Sequence, residues 1–382
     1  MLKMMDKPIA ILFAALCLIS CIPLRSVAAS QPLPPNWPWR GVVVSSSTPP
    51  DADDMQYLRE IGVNAVSIHL QFRDDAGREK ISGREAFKKD LEWVDAFLDE
   101  CKRSGVTVVI STAQIPMDPS TGLTQTSPEF WDNPELLKEA VYVAGELARR
   151  FKDRGAELGA YSILSEPVVI RDNIVFGKKF GTGGSLPRAW PGLMKDVIKE
   201  IRRYDKTRFI SVTPGLWGLP AGYADFKPLD DPHIIYEAHM YQPHAFTHQG
   251  IREWPLGVKY PGRARLLKYW DKDALEGALE PLTDFQKRYG VPVWIGEFSA
   301  VRWAEGGDEY LKDLIAVFDA RGLAWTYHCF KCWNGWDPDY AGGGATYDLK
   351  DWKRFYKGRD TDRWRLLKEA FGKNRLKGSS MQ

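Results

Sequence analysis

The chain reads as an α/β protein, a (β/α)8 TIM barrel with long loops on one face. Three observations predict this. Strand-like and helix-like runs alternate along nearly the whole chain beyond residue 29. The strand-like runs number eight, the count at which parallel βα units close into a barrel. Two acids, Glu166 in AYSILSEP (160–167) and Glu297 in VPVWIGEFSA (291–300), stand where apolar runs rich in β-formers give way to polar or turn-forming residues. A carboxylate at the exit of a buried strand needs partners or a raised pKa, so such placement points to chemistry.

Taken in order, the strand signatures are Trp39 to Val44, Ala65 to Leu70, Thr107 to Ser111, Ala160 to Leu164, Phe209 to Thr213, Ile234 to His239, Val293 to Gly296 and Ala324 to Cys329. Helical spacing is seen between them, over Met55 to Ile61, Asp90 to Arg103, Pro134 to Phe151, Leu193 to Tyr204, Leu275 to Tyr289 and Leu311 to Arg321, with a closing helix at Arg363 to Phe371. Gly62, Gly105, Gly290 and Gly322 follow helical runs, as C-terminal caps do. In such barrels the residues that do chemistry gather at the carboxyl ends of the strands. Glu166 ends strand four and Glu297 strand seven, so both are expected to face one cup. The segments 168–190 and 242–272 follow strands four and six on that same face and are expected to wall a cleft.

Residues 1–29 stand apart from this pattern. Lys3 and Lys7 precede an apolar run from Ile9 to Ser20, and Val27, Ala28 and Ala29 follow, the three-part layout of a secretory signal. Leu18-Ile19-Ser20-Cys21 supports a second reading, a lipoprotein signal with Cys21 as the lipidated first residue. Either way the protein is expected to be exported, periplasmic or extracellular, with a membrane anchor only if Cys21 is lipidated. Residues 30–382 are expected to form one catalytic domain, since no repeat or linker divides them. Losing residues 1–29 removes three basic side chains and one acidic, taking the formal charge from +2 to zero. That balance argues against nucleic acid as a partner. Cys101, Cys329 and Cys332 remain. Without a second CxxC or a His pair at ligand spacing, Cys329 and Cys332 read as thiols without a metal, which an exported location would permit to pair.

Two carboxyls facing one cleft suit glycoside hydrolysis, in which one donates a proton to the leaving oxygen and the other attacks or activates water. The chemistry requires no metal and no cofactor. The surrounding residues then carry a resemblance. YSILSEP is similar to the YEILNEP strand, YEAHMYQPHAFTHQG (236–250) to the HxY strand, and WIGEFSA to the GEF strand of glycoside hydrolase family 5, the cellulase-like retaining glycosidases. WTYHCFKCWNGWD (325–337) resembles that family's last strand. The resemblance implies a glycoside hydrolase that works by double displacement, endo-acting on a β-1,4-linked glucan or a related β-linked polysaccharide or oligosaccharide. It implies Glu166 as acid/base and Glu297 as nucleophile. It also implies Tyr241 as a donor to Glu297, His239 beside the sugar, and His328 pointing into the cleft.

His239 and Tyr241 share one side of strand six by their spacing. Glu237 has the same parity and is a third inward acid, deeper in the strand, where a packing or ion-paired role is expected. Fifteen tryptophans offer flat faces for sugar rings. Trp217 past strand five, and Trp333 and Trp336 past strand eight, are placed for substrate binding or for loop packing; Trp39, Trp93, Trp294 and Trp325 read as core.

Two departures stand out. Ser165 replaces the family's Asn before the acid/base, which contacts the sugar 2-hydroxyl. Ser67, in VSIHL, replaces an Arg that supports the nucleophile; Arg73 is the nearest substitute in sequence. A hydroxyl is shorter than either group, so a catalytically weakened, carbohydrate-binding barrel is the alternative reading. An aldolase-like barrel is disfavoured, because no lysine sits at a strand end.

Overall fold

The structure is a computed structural model. It describes residues 31–378, apart from 113, 118, 122, 171, 176–177, 182–183, 252–253, 265–267 and 344–352. The export signal expected in residues 1–29 lies outside the described residues.

Eight parallel strands close into a barrel. They are β1 (Arg40–Ser45), β2 (Ala65–His69), β3 (Thr107–Thr112), β4 (Leu158–Ile163), β5 (Phe209–Val212), β6 (Ile234–His239), β7 (Val293–Glu297) and β8 (Ala324–Tyr327). Each is hydrogen-bonded to its neighbours in sequence order, and β1 closes against β8 through Arg40–Trp325, Gly41–Thr326 and Val42–Tyr327. The eight sequence signatures map onto these strands with ends differing by one or two residues. The helix expected from Pro134 begins there, but others begin earlier than their apolar spacing suggested, three of them because polar capping residues extend them. Asp51 and Ser82 form capping boxes that start helices at Ala52 and Gly83, and the Asp271 side chain accepts from Ala274 N to start another at Lys272. At the other ends Gly62, Gly105, Gly290 and Gly322 are left-handed, as expected.

The interior of the barrel is layered. At the amino ends of the strands Trp39, Ala65, Val109, Ala160, Phe209, Ile235, Trp294 and Ala324 pack into an apolar plug, with Trp39 and Trp294 meeting edge to face at 5.3 Å. The larger core lies outside the strands, between sheet and helices. Trp325 belongs to this outer core, whereas Trp93 is only half-buried, stacked on Phe97 along an outer helix. Above the plug the inward side chains turn polar: Ser67, Ser111, Ser162, Ser211, Glu237 and Thr326 are all buried.

Two hairpins went unread in the sequence. Asp172–Val175 pairs with Lys178–Gly181 in the segment after β4, and Gly262–Ala264 pairs with Lys268–Trp270 in the segment after β6. Both occupy the long loops expected at the carboxyl face.

Candidate active site

Glu297 reaches the barrel mouth through a break in strand register. Trp294 points into the plug, so simple alternation would turn Glu297 outward. Between Ile295 and Glu297 the pairing with β6 shifts, Ile295 opposing Ala238 and Glu297 opposing His239, and the bulge rotates the carboxyl inward. Glu166 is reached differently. Leu164, just past β4, adopts φ of 55°, a left-handed conformation rare for a leucine. Strain of this kind is worth about 1–3 kcal/mol and concentrates at functional sites.

His239 stands between the two acids. Its Nδ1 is 2.6 Å from Glu166 Oε1 and 3.7 Å from Glu297 Oε1, and the ring is 1% exposed. One carboxylate oxygen of Glu166 and one of Glu297 lie within 4.8 Å of each other and of His239. Tyr241 donates to Glu297 Oε2 at 2.9 Å, and His328 Nδ1 lies 3.0 Å from that same oxygen and 2.5 Å from the Tyr241 hydroxyl.

The sequence singled out Ser67 at the expected arginine position, and Ser67 is a buried residue of the polar layer. The side chain that meets Glu297 from β2 is His69, two residues on and therefore on the same face, with Nε2 3.5 Å from Glu297 Oε1. Sequence reasoning missed it, although the i, i+2 spacing from Ser67 was the signal. Arg73 lies in the first turn of a helix that follows β2 (Phe72–Glu79), where its backbone N–H donates to Gln114 Oε1. Imidazoles from three strands, His69, His239 and His328, thus stand within 4 Å of the Glu297 carboxyl.

The two acids differ in surroundings. Burial raises the Glu297 carboxyl, but His239 and His328 outweigh it and hold the group well below the usual carboxylate range. Burial raises Glu166 above that range against the opposing pull of His239, and its side chain is 26% exposed where Glu297 is 9% exposed. For His239, burial disfavours the charge, yet Glu297, Glu166 and Glu237 drive its pKa well above the usual value. Burial pushes His69 down to about 4. One acid that keeps its proton beside one that is ionised is the arrangement acid/base chemistry needs.

An aromatic wall flanks the pair. Trp336 stacks on Tyr241 at 5.6 Å and meets His328 and His248 at 5.0 and 5.3 Å. His244 stacks on Trp254, and burial takes His244 and His248 down to about 4 and 3, leaving both neutral. Neither histidine nor Trp254 was singled out by the sequence. Trp333 stands behind Trp336, edge-on at 5.0 Å and wedged against Trp303. Trp217, half-buried in a short turn after β5, borders the segment after β4 at Gly184. Ser165 is buried beside Glu166. Cys329 and Cys332 form a disulfide adjoining His328. Both sulfurs of that pair are committed, so the nearby grouping of His328 with the two cysteines offers no thiolate to a metal.

Comparison with known proteins gives one consistent answer. The family described as Cellulase (glycosyl hydrolase family 5) matches residues 28–334. Endoglucanase C of Acetivibrio thermocellus is 24% identical over 312 residues, covering 72% of this chain and 82% of that protein. Cellodextrinase A of Ruminococcus flavefaciens is 24% identical over 287 residues, covering 71% and 76%. Among solved structures, endoglucanase Cel5A from Thermotoga maritima superposes with a TM-score of 0.63 at 19% identity, covering 86% of this chain and 96% of that one. The same enzyme has been solved with a mannotriose substrate, at a TM-score of 0.61 and 20% identity, covering 87% and 98%.

Proposed function

Because the chain belongs to glycosyl hydrolase family 5, we propose that it is an exported, retaining hydrolase that cuts internal β-1,4 bonds of a glucan or a related β-linked polysaccharide. The observation that carries this reading is the approach of Glu166 and Glu297, with oxygens within 4.8 Å. Retaining enzymes hold their two carboxyls about 5–5.5 Å apart, whereas inverting ones leave about 6.5–9.5 Å for a water. Glu297, ionised, attacks the anomeric carbon; Glu166 gives its proton to the leaving oxygen. A covalent glycosyl ester on Glu297 results. Glu166, now a carboxylate, then takes a proton from water as that water displaces Glu297, and the original configuration returns.

Endo action on a β-glucan is supported by the names of the relatives, endoglucanases above all. Trp336 and Trp217 are the platforms on which sugar rings would stack, and Ser165 is the neighbour of the 2-hydroxyl. Replacing the expected arginine does not leave Glu297 unsupported, since Tyr241, His328 and His69 surround it. Export is supported by the Lys3–Ala29 pattern and by the Cys329–Cys332 disulfide, which persists in oxidising compartments.

The test is hydrolysis of β-glucans, mannans and xylans by the mature protein and by Glu166→Ala and Glu297→Ala. The parent should hydrolyse at least one polymer with falling viscosity, and both variants should be inactive. Azide should rescue Glu297→Ala, giving a glycosyl azide of inverted configuration. A rescued product of retained configuration, or full activity in either variant, would overturn the roles. The mass of the secreted protein decides between cleavage after Ala29 and a lipidated Cys21.

A further inference from the structure

The contacts that end at Glu166 continue downward into the barrel. His239 presents Nε2 to Glu237 Oε1 at 3.1 Å, on the opposite side of the ring from Glu166. Glu237 is 3% exposed and lies one layer deeper, on the inner face of β6. Its other oxygen accepts from Ser162 Oγ at 2.9 Å and Ser211 Oγ at 2.8 Å, and Ser211 Oγ accepts in turn from Trp294 Nε1 at 2.8 Å. Four strands are thus committed to one buried carboxylate. Room for it comes from Gly296, where a Cβ would stand 2.1 Å from Glu237 Oε1. An apolar side chain of similar volume would fill a barrel interior more cheaply than an acid. The acid is therefore explained by what it holds. A histidine that donates one ring N–H to a carboxylate has its tautomer and orientation fixed for whatever meets the other nitrogen.

We propose that Glu237 is a positioning residue for the acid/base: it accepts the Nε2 proton of His239, keeps that ring an imidazolium, and so presents Nδ1–H to Glu166. This rests on the assignment of Glu166 above. When Glu166 gives its proton to the leaving oxygen and the C–O electron pair stays with that oxygen, the new carboxylate accepts from Nδ1–H and faces a cation. His239 keeps both its protons throughout. Glu166 recovers its own from water in the second step, so the protons balance over a turnover. The titratable groups around the ring are Glu166 from the end of β4, Glu237 on β6 itself, Glu297 on β7, His69 on β2 and His328 on β8. Of these, only Glu237 contacts His239 without reaching the cleft.

Glu237→Gln separates charge from shape, because its amide oxygen still accepts from Nε2–H. Removing a negative charge beside the imidazolium lowers its hold on the proton. The alkaline limb of kcat/KM should move to lower pH by about one unit or more. Polysaccharide hydrolysis should fall much more than that of an aryl glycoside whose leaving group needs no proton. A limb that stays in place or moves to higher pH overturns the proposal, whatever the stability of the variant. Should Glu237→Gln fail to fold, the imidazole 15N spectrum of the unsubstituted protein decides. One histidine, identified by its loss in His239→Asn, should remain protonated on both nitrogens at pH 7. If that histidine carries a single proton, Glu237 does not have this role. Loss of all activity in Glu166→Ala with an unmoved limb in Glu237→Gln would remove the role of Glu237 alone; an inactive parent would remove the assignment of Glu166, while the spectrum still reports on Glu237.

Discussion

Tyr241→Phe tests the support of the proposed nucleophile, Glu297, one atom at a time. The substitution deletes the hydroxyl that donates to Glu297 Oε2 at 2.9 Å and keeps the ring that Trp336 covers. A hydrogen bond to a charged group is worth about 1.5–3 kcal/mol, which is about one to two pKa units. The Glu297 carboxyl sits well below its usual range, so its ionised form is the one the site favours, and losing a donor raises the pKa. Activity needs that ionised form. The acid limb of the pH profile should therefore move upward, by about one to two units, the lower value applying if His328 at 3.0 Å compensates. In the proposed double displacement the rate consequence falls on the second step, where Glu297 departs as a carboxylate and the lost donor no longer meets its returning charge. At about tenfold per 1.36 kcal/mol, deglycosylation should slow by about 10- to 150-fold. The assay is pre-steady-state hydrolysis of an activated aryl glycoside with mass spectrometry of the quenched protein: a burst, then a chain heavier by one glycosyl unit. An unmoved acid limb with kcat within about threefold of the parent would refute the reasoning.

Other perturbations have equally definite outcomes. Gly296→Ala drives a methyl into Glu237, with three of its atoms within 3.0 Å, so overpacking of about 1–3 kcal/mol should lower Tm by several degrees; an unchanged Tm would show that the carboxylate moves freely. Asp337 is buried and its pKa is raised to about 7 by that burial and by Asp339. A raised carboxyl contributes stability fully present below its unfolded value and lost as pH rises through about 7, so the parent should lose Tm between about pH 4 and 7, and Asp337→Asn should flatten that decline. A decline of the same steepness in the variant would assign the loss to other groups. Trp336→Ala removes the face over Tyr241 and His328, and kcat/KM on polysaccharide should fall by about 5- to 150-fold, as for loss of about 1–3 kcal/mol of ring contact, with KM affected most. Viscometry and reducing-sugar release measure it, and a variant with parental KM would make Trp336 a packing residue.

What the sequence made legible follows from how each element earns its stability. The barrel strands are buried on both faces, so runs of β-formers such as TVVIST (107–112) stand out, and the four glycine caps mark where helices stop. The hairpin strands are only three or four residues long, as in Lys178–Gly181, and periodicity has nothing to detect there. Glu166, Glu297, His239 and Tyr241 could be read because each ends a recognisable strand. His69 could not be read through a motif whose expected residue was two positions earlier; its role comes from three strands converging on one carboxylate. The bulge that turns Glu297 inward is equally invisible in sequence, since it depends on how β7 slides along β6.

The stacked interior of the barrel has a consequence for how such a chain can change over time. The apolar plug around Trp39 and Trp294 lies two residues below the serine layer on each strand, as in Ala65 and Ser67 or Ala160 and Ser162. Substitutions at the mouth therefore alter chemistry while the plug and the outer core carry the fold. The two layers are coupled at one point, the Trp294 indole that donates to Ser211 beneath Glu237. A drift in the plug that displaced this indole would reach the acid pair from below, so Trp294 is where freedom to evolve a new activity is narrowest.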